Sequence, residues 1–314
     1  MIRKNCIQGG LYLACLLLVC SSHAQQGNEL LVYAVKGTVT ANYNNQESVV
    51  KIGKVLKPGT TINVMQGAGM TMLCKQGKPL SVTKAGSFAL SKWKDSCKTT
   101  SNSITSSYFK YIWSEFYTRS KEYQDEQKDK NVSAVTRSDA PRRYKSNPNK
   151  IKIEFNPGLD TLNYASGNFP LSWTCYDYSG KYFFILYETG TGREVYKDSL
   201  HRSFIPVEKF ITLLEKGKRY SWTVTAPKAG VIRKRILNYV TAESTEELIR
   251  GFEASVTIPE DAAAKYFRIG YMLEQRHYLA DAYLHYKRAA EAAPEIGVYS
   301  DKLLRFKSEF WIND

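Results

Sequence analysis

Apolar positions in residues 30–93 fall in short runs punctuated by glycine, and they predict strands. The runs are Leu30 to Val35, Gly37 to Tyr43, Val49 to Ile52, Thr61 to Val64, Met70 to Cys74, Leu80 to Val82 and Phe88 to Leu90. Between them, Lys57-Pro58-Gly59 and Gln76-Gly77-Lys78-Pro79 carry turn chemistry, because proline presets φ and glycine accepts a positive φ. Closely spaced short strands predict a small all-β unit over residues 25–98. The period then changes. Ile104, Tyr108, Ile112 and Phe116 recur every four residues, with Phe109, Trp113 and Tyr123 on a neighbouring face. This spacing predicts an amphipathic helix over 99–130 with a wide aromatic face. That face either packs on the strands before it or serves a partner or membrane surface. Beyond Lys121 the pattern is polar, and residues 131–150, with Pro141, Arg142, Arg143 and Pro148, read as a flexible basic linker.

Strand patterning returns over residues 151–258. Ile151 to Phe155, Pro170 to Cys175, Tyr182 to Glu188, Glu194 to Lys197, Tyr220 to Ala226 and Ile236 to Thr241 alternate or run apolar, with Gly180, Gly190-Thr191-Gly192 and Gly217 at turns. This density of strands predicts a β-sandwich. Ala242 to Arg250 predicts a short helix, and Glu253 to Ile258 a further strand or linker. Residues 259–314 are helical in pattern: Pro259-Glu260-Asp261 opens a helix, and Val298 to Phe310 forms a last one.

The N-terminus changes the compartment. Arg3 and Lys4 precede the apolar run Leu11 to Cys20, and Ser22-His23-Ala24 follows. That order predicts a secretory signal peptide over 1–24 and an exported chain, periplasmic or associated with an outer membrane or surface. For lipid anchoring, Cys20 follows Val19 and Cys15 follows Ala14 in mid-run, both poor lipobox matches. No later stretch has the apolar length of a transmembrane helix. The full chain carries +14, and residues 25–118 hold 11 basic against 4 acidic residues while 259–314 hold 8 against 9. The N-terminal excess reads either as attraction to polyanions or as lysines that guard β-edges. Cys74, Cys97 and Cys175 lie beyond the leader. Cys74 and Cys97 share a unit and form a candidate disulfide, while Cys175, beside Trp173, reads as a small buried apolar residue.

Three stretches resemble known families. Gly37-Thr38-Val39, Ile52 through Ile62 and Ala85-Gly86-Ser87-Phe88 resemble the periplasmic β-domain of FecR-type proteins. That family's signalling members also carry a cytoplasmic segment and a membrane span, features the sequence pattern here does not match. Leu171-Ser172-Trp173 and Gly217 through Val224 resemble fibronectin type III modules, an immunoglobulin-like sandwich; the resemblance makes Trp173 and Trp222 core residues. Tyr266, Ile269, Gly270, Ala282, Tyr286, Ala289 and Pro294 resemble a tetratricopeptide repeat, with Leu273 where tyrosine is usual. Gly270 and Ala282 would then be small where two helices cross, with Tyr286 filling the groove. The resemblance implies Phe267, Tyr271, Glu274 and Gln275 as groove residues facing a protein partner. One repeat is too few for a freestanding array, so the pair docks either on its own chain or on another.

The chemistry-bearing motifs are sparse. His277 and His285 are placed on different helices, and no metal-binding pair, nucleophile elbow or phosphate loop is present. The expectation is a multidomain chain, mainly β with α: a FecR-like β-domain, a connecting helix, an immunoglobulin-like sandwich and a helical hairpin with a capping helix. No cofactor or nucleic-acid partner is expected. The functional expectation is a non-catalytic scaffold or adaptor that binds another protein of a bacterial cell envelope. The alternative is a binder of peptidoglycan or anionic envelope polysaccharide through the basic N-terminal half.

Overall fold

A computed structural model describes residues 29–93, 95–98, 103–128, 151–176, 178–229 and 233–312. The expected leader (1–24) and linker (131–150) lie outside the described residues. The chain is a mixed fold, β with α. Its first strands are β1 (Leu30–Lys36), β2 (Val39–Tyr43), β3 (Gln46–Val49), β4 (Val55–Leu56), β5 (Thr61–Val64), β6 (Gly69–Cys74), β7 (Pro79–Val82) and β8 (Gly86–Ala89). They form two antiparallel four-stranded sheets, ordered β4-β1-β6-β7 and β3-β2-β5-β8. Alternation divides the side chains of β1 and β6 between two cores. Leu30, Val32, Met70 and Met72 point into the space between the sheets. Leu31, Tyr33 and Leu73 point the other way, into a second core. A sheet buried on both faces needs continuous apolar strands, which is the pattern LLVYAVK and GMTMLC present. A bulge between Val32 and Ala34 inserts Tyr33 into the ladder. Cys74 and Cys97 are disulfide-bonded, with Cα atoms 5.6 Å apart, inside the first core.

Helix α1 (Ile104–Lys128) lies across the outer face of this sheet. Its start is capped by Ser103, whose Oγ accepts the Ser106 N–H at 3.1 Å. Tyr108, Phe109, Ile112, Trp113 and Phe116 are all buried, so the aromatic face is core. Tyr33 meets Tyr108 and Phe109 edge-on, with ring centroids at 6.3 and 5.4 Å.

The next strands are β9 (Ile153–Glu154), β10 (Thr161–Tyr164), β11 (Pro170–Ser172), β12 (Thr174–Cys175), β13 (Tyr182–Glu188), β14 (Glu194–Leu200), β15 (Phe204–Pro206), β16 (Arg219–Thr225) and β17 (Arg235–Tyr239). A five-stranded sheet, β10-β17-β16-β13-β14, is accompanied by the pairs β11-β15 and β12-β9. β10 runs parallel to β17, and the other pairs are antiparallel. Trp222 and Trp173 are fully buried, Trp222 beside Phe184 and Phe155 and Trp173 beside Tyr182.

Five α-helices are described: α1, then α2 (Ala242–Ala254), α3 (Ala262–Glu274), α4 (Leu279–Ala292) and α5 (Gly297–Phe310). α3 and α4 pack as a pair. Gly270 sits where they cross: a Cβ there would stand 3.0 Å from the Tyr286 ring and 3.3 Å from the Ala282 carbonyl.

Several local expectations shift. The strand expected at Val49 to Ile52 ends at Val49, because the chain turns at Val50 to cross between sheets. Pro170 to Cys175 splits at Trp173, whose N–H bonds the Ser203 carbonyl at 2.9 Å outside the ladder. Of the two readings of Glu253 to Ile258, strand or linker, the linker holds: α2 runs on to Ala254, and the segment after it reaches α3 without strand pairing. Cys175 is half-buried rather than buried. His277 lies in the α3–α4 turn with φ 61°, not on a helix.

Candidate functional site

α3 begins at Asp261, whose Oδ1 accepts the Ala264 N–H at 2.7 Å. This cap fixes the rotation of the helix and so the direction of the four residues expected to face a partner. Phe267 is fully buried, its ring 4.7 Å from that of Tyr299 on α5 and 5.3 Å from Tyr286 on α4. Tyr271 is half-buried and stacks on Tyr111 of α1 at 5.1 Å and 21°. Glu274 accepts the Tyr286 hydroxyl at 2.5 Å and pairs with Lys302 of α5 at 2.8 Å. Gln275 alone of the four is exposed. The face of α3 is therefore covered by α1 on one side and α5 on the other, so the chain fills its own groove.

Where the β-unit, α1 and α3 meet, an ionic cluster is buried. Arg268 is 1 % exposed, and its guanidinium grips both carboxylate oxygens of Glu260. It also donates to the Phe252 carbonyl, at the end of α2, at 2.8 Å. Tyr33 donates its hydroxyl to Glu260 Oε2 at 2.9 Å, and Tyr108 lies 3.3 Å from the Tyr33 oxygen. Beside them Thr71 of β6 donates to the Pro259 carbonyl at 2.9 Å. Burial pushes the Tyr33 and Tyr108 hydroxyls well above the usual tyrosine range, so both remain protonated donors. Burial alone would lower Arg268, but the bonds to Glu260 outweigh it and hold the guanidinium charged. Sequence reading missed this cluster. Its signal was an arginine flanked by Phe267 and Ile269 on the apolar side of a helix, where a charge requires a buried partner.

The other end of the helix pair docks on the second sheet. Asn163 in β10 donates its main-chain N–H to the His277 carbonyl and its Nδ2 to the Arg276 carbonyl, each at 2.8 Å. Phe310 of α5 lies 5.7 Å from Phe169. Nearby, Asp281 holds an Oδ2 with no hydrogen-bond partner, and burial pushes its carboxyl up to about 6. His285, whose Nδ1 lies 2.9 Å from the Asp281 carbonyl, is pushed down by burial toward the neutral imidazole. The two histidines and Asp281 do not converge, and among the described residues no cluster of three metal-ligating side chains forms.

One surface of mixed polar and apolar character is left open on the helical layer. α1 and α5 flank an open channel of about 490 Å³, lined by the apolar Val298 and Leu304 and by the polar Ser114 and Thr118. Its rims are two cross-helix ion pairs, Arg119–Asp301 and Arg305–Glu115, both 2.7 Å. Leu304 is 63 % exposed, the largest exposure of any described large apolar residue except Tyr176. Among the described residues no helix is long and apolar enough to cross a membrane. The chain matches no protein-family model and no curated protein.

Proposed function

We propose that the chain is a non-catalytic, exported scaffold of a bacterial cell envelope that binds another envelope protein. In this reading it comprises a FecR-like β-domain, an immunoglobulin-like sandwich and a tetratricopeptide-like helix pair with its capping helix. The observation that supports the structural, scaffold part of this reading is the self-filled groove of α3: Phe267 and Tyr271 pack on rings of α1, α4 and α5, and Glu274 is held by Tyr286 and Lys302. The helix pair thereby ties the two β-units into one body, a structural rather than chemical use of its residues. The buried ionisable groups fit the same use, since Arg268, Glu260 and Tyr33 are spent on one another. The partner surface in this reading moves outward to the α1–α5 channel, where Leu304 stands exposed between two ion pairs.

The experiment is stoichiometric co-purification of the tagged exported protein after cross-linking in cells, comparing wild type with Leu304→Glu. One partner recovered with wild type and lost with the variant supports the reading. A partner retained by L304E, at equal yield of folded protein, contradicts the placement of the surface. Deleting residues 259–314 is not a usable test, because it strips α3 from Tyr33, Tyr108 and Tyr111 and exposes the core they share.

A further inference from the structure

The N-terminal β-unit carries a second open feature, a polar groove at its edge that the scaffold reading does not use. Two rigid turns frame it. Asn44 and Asn45 have φ of 53° and 64°, the paired positive values of a tight hairpin turn, and they close β2 onto β3. Pro58 and Gly59, the latter with φ 87°, turn β4 into β5, and the Thr60 N–H returns to the Lys57 carbonyl at 3.2 Å. Proline then glycine at the two central positions is the type II pattern. Thr60 adds a hydroxyl bond to the same carbonyl at 2.7 Å. These turns hold the Lys57 ammonium 5.9 Å from the Tyr43 ring centroid, while Tyr43 stays 37 % exposed. The space between them, about 540 Å³, is lined also by Gln46, Ser48 and Lys54. β3 and β4, both edge strands, form its walls.

Charge decides what fits. Among the lysines described in residues 29–98, only Lys98 has a carboxylate at ion-pair distance, Asp95 at 2.6 Å. Lys54 reaches only the Ser48 hydroxyl, at 2.6 Å. The groove has one carboxylate, Glu47, which accepts the Thr40 hydroxyl at 2.6 Å. Lys54 and Lys57 thus outnumber it, and exposed Lys51 adds to the local field. Ammonium groups meet carboxylates, hydroxyl and amide groups meet sugar hydroxyls, and an exposed tyrosine ring meets the apolar face of a pyranose.

We propose that this groove binds a carboxylated polysaccharide, a chain of uronic-acid-type sugars. The site is separate from Leu304, so failure here leaves the scaffold reading standing, and the reverse holds too. The test is titration of the intact exported protein with polygalacturonate at low salt, with neutral dextran and single-stranded DNA alongside. Lys54→Glu with Lys57→Glu is compared with Lys75→Glu with Lys78→Glu, an equal charge change at the β6–β7 turn. Circular dichroism checks that each variant is folded. The groove variant is expected to weaken binding by at least about tenfold, as for two lost charge-assisted contacts, and the turn variant by no more than about threefold, through the long-range field. Tyr43→Ala is expected to weaken binding about fivefold through lost ring contact. Added salt is expected to weaken wild-type binding steeply, since screening acts on exposed charges. Equal losses from both pairs, no effect of Y43A, no binding of polygalacturonate, or tighter binding of DNA would each overturn the proposal.

Discussion

Replacing Arg268 by methionine keeps the side-chain stem and deletes the guanidinium that holds Glu260 inside the protein. Glu260 then retains the Tyr33 hydroxyl as a donor at 2.9 Å, and the Phe252 carbonyl loses its 2.8 Å bond from Arg268. Removing one partner of a buried ion pair costs about 3–5 kcal/mol, because the remaining charge is stranded. Arg268 is 1 % exposed and the Glu260 side chain 9 %, so solvent screens little of that cost. The R268M variant should therefore lose about 3 kcal/mol or more. Adding Glu260→Gln removes the stranded charge and should restore at least about 1 kcal/mol. The assay is urea unfolding followed by tryptophan fluorescence and far-ultraviolet dichroism together. Because the cluster joins β1, α1, α2 and α3, both signals should move by the same amount. A loss below about 1 kcal/mol, typical of an exposed pair, would refute the reasoning, and so would a shift confined to the helical signal.

Further variants probe the other contacts. Gly270→Val should destabilise by about 2 kcal/mol through overpacking, since Tyr286 is held by Phe267, Phe306 and Glu274 and has no room to retreat; an unchanged melting temperature would contradict the close crossing. Asp281 is raised from 3.8 to about 6, so the fold disfavours its ionised form. The stability it contributes while protonated is lost as pH rises from 4 to 6, so Asp281→Asn should stabilise by about 2 kcal/mol at pH 7. That gain should fade toward pH 4, and a gain independent of pH in thermal melts would show another cause. Reducing Cys74–Cys97, which are 23 residues apart, should cost about 3 kcal/mol by the chain-entropy estimate, read as a lower urea midpoint in dithiothreitol.

Much of the layout was legible because burial writes a period into the sequence. The strand at Tyr182 to Glu188 and the helix from Ile104 follow directly from it. The double burial of β1 and β6 was visible only as apolar runs, since no local pattern says which neighbour covers the second face. β10 was missed because it is four residues long and pairs in parallel with β17, more than seventy positions away. β15 is three residues long and bounded by Pro206. For the candidate site, residue types on α3 were legible and their neighbours were not. Tyr111, which covers Tyr271, belongs to a helix 160 positions earlier whose aromatic face had two open readings. The Glu260–Arg268 pair is eight positions apart across a helix start, a spacing that becomes contact only because the chain bends at Asp261.

The coupling between Tyr111 and Tyr271 tests most directly the claim that the chain fills its own groove. Their rings stack at 5.1 Å and 21°, and both residues are half-buried, so single alanine variants should still fold. A double-mutant cycle of Y111A and Y271A, measured by urea unfolding, should give a coupling energy of about 0.5–1.5 kcal/mol. Additive losses, with no coupling, would mean that α1 does not lie on α3 and that its face is free for a partner.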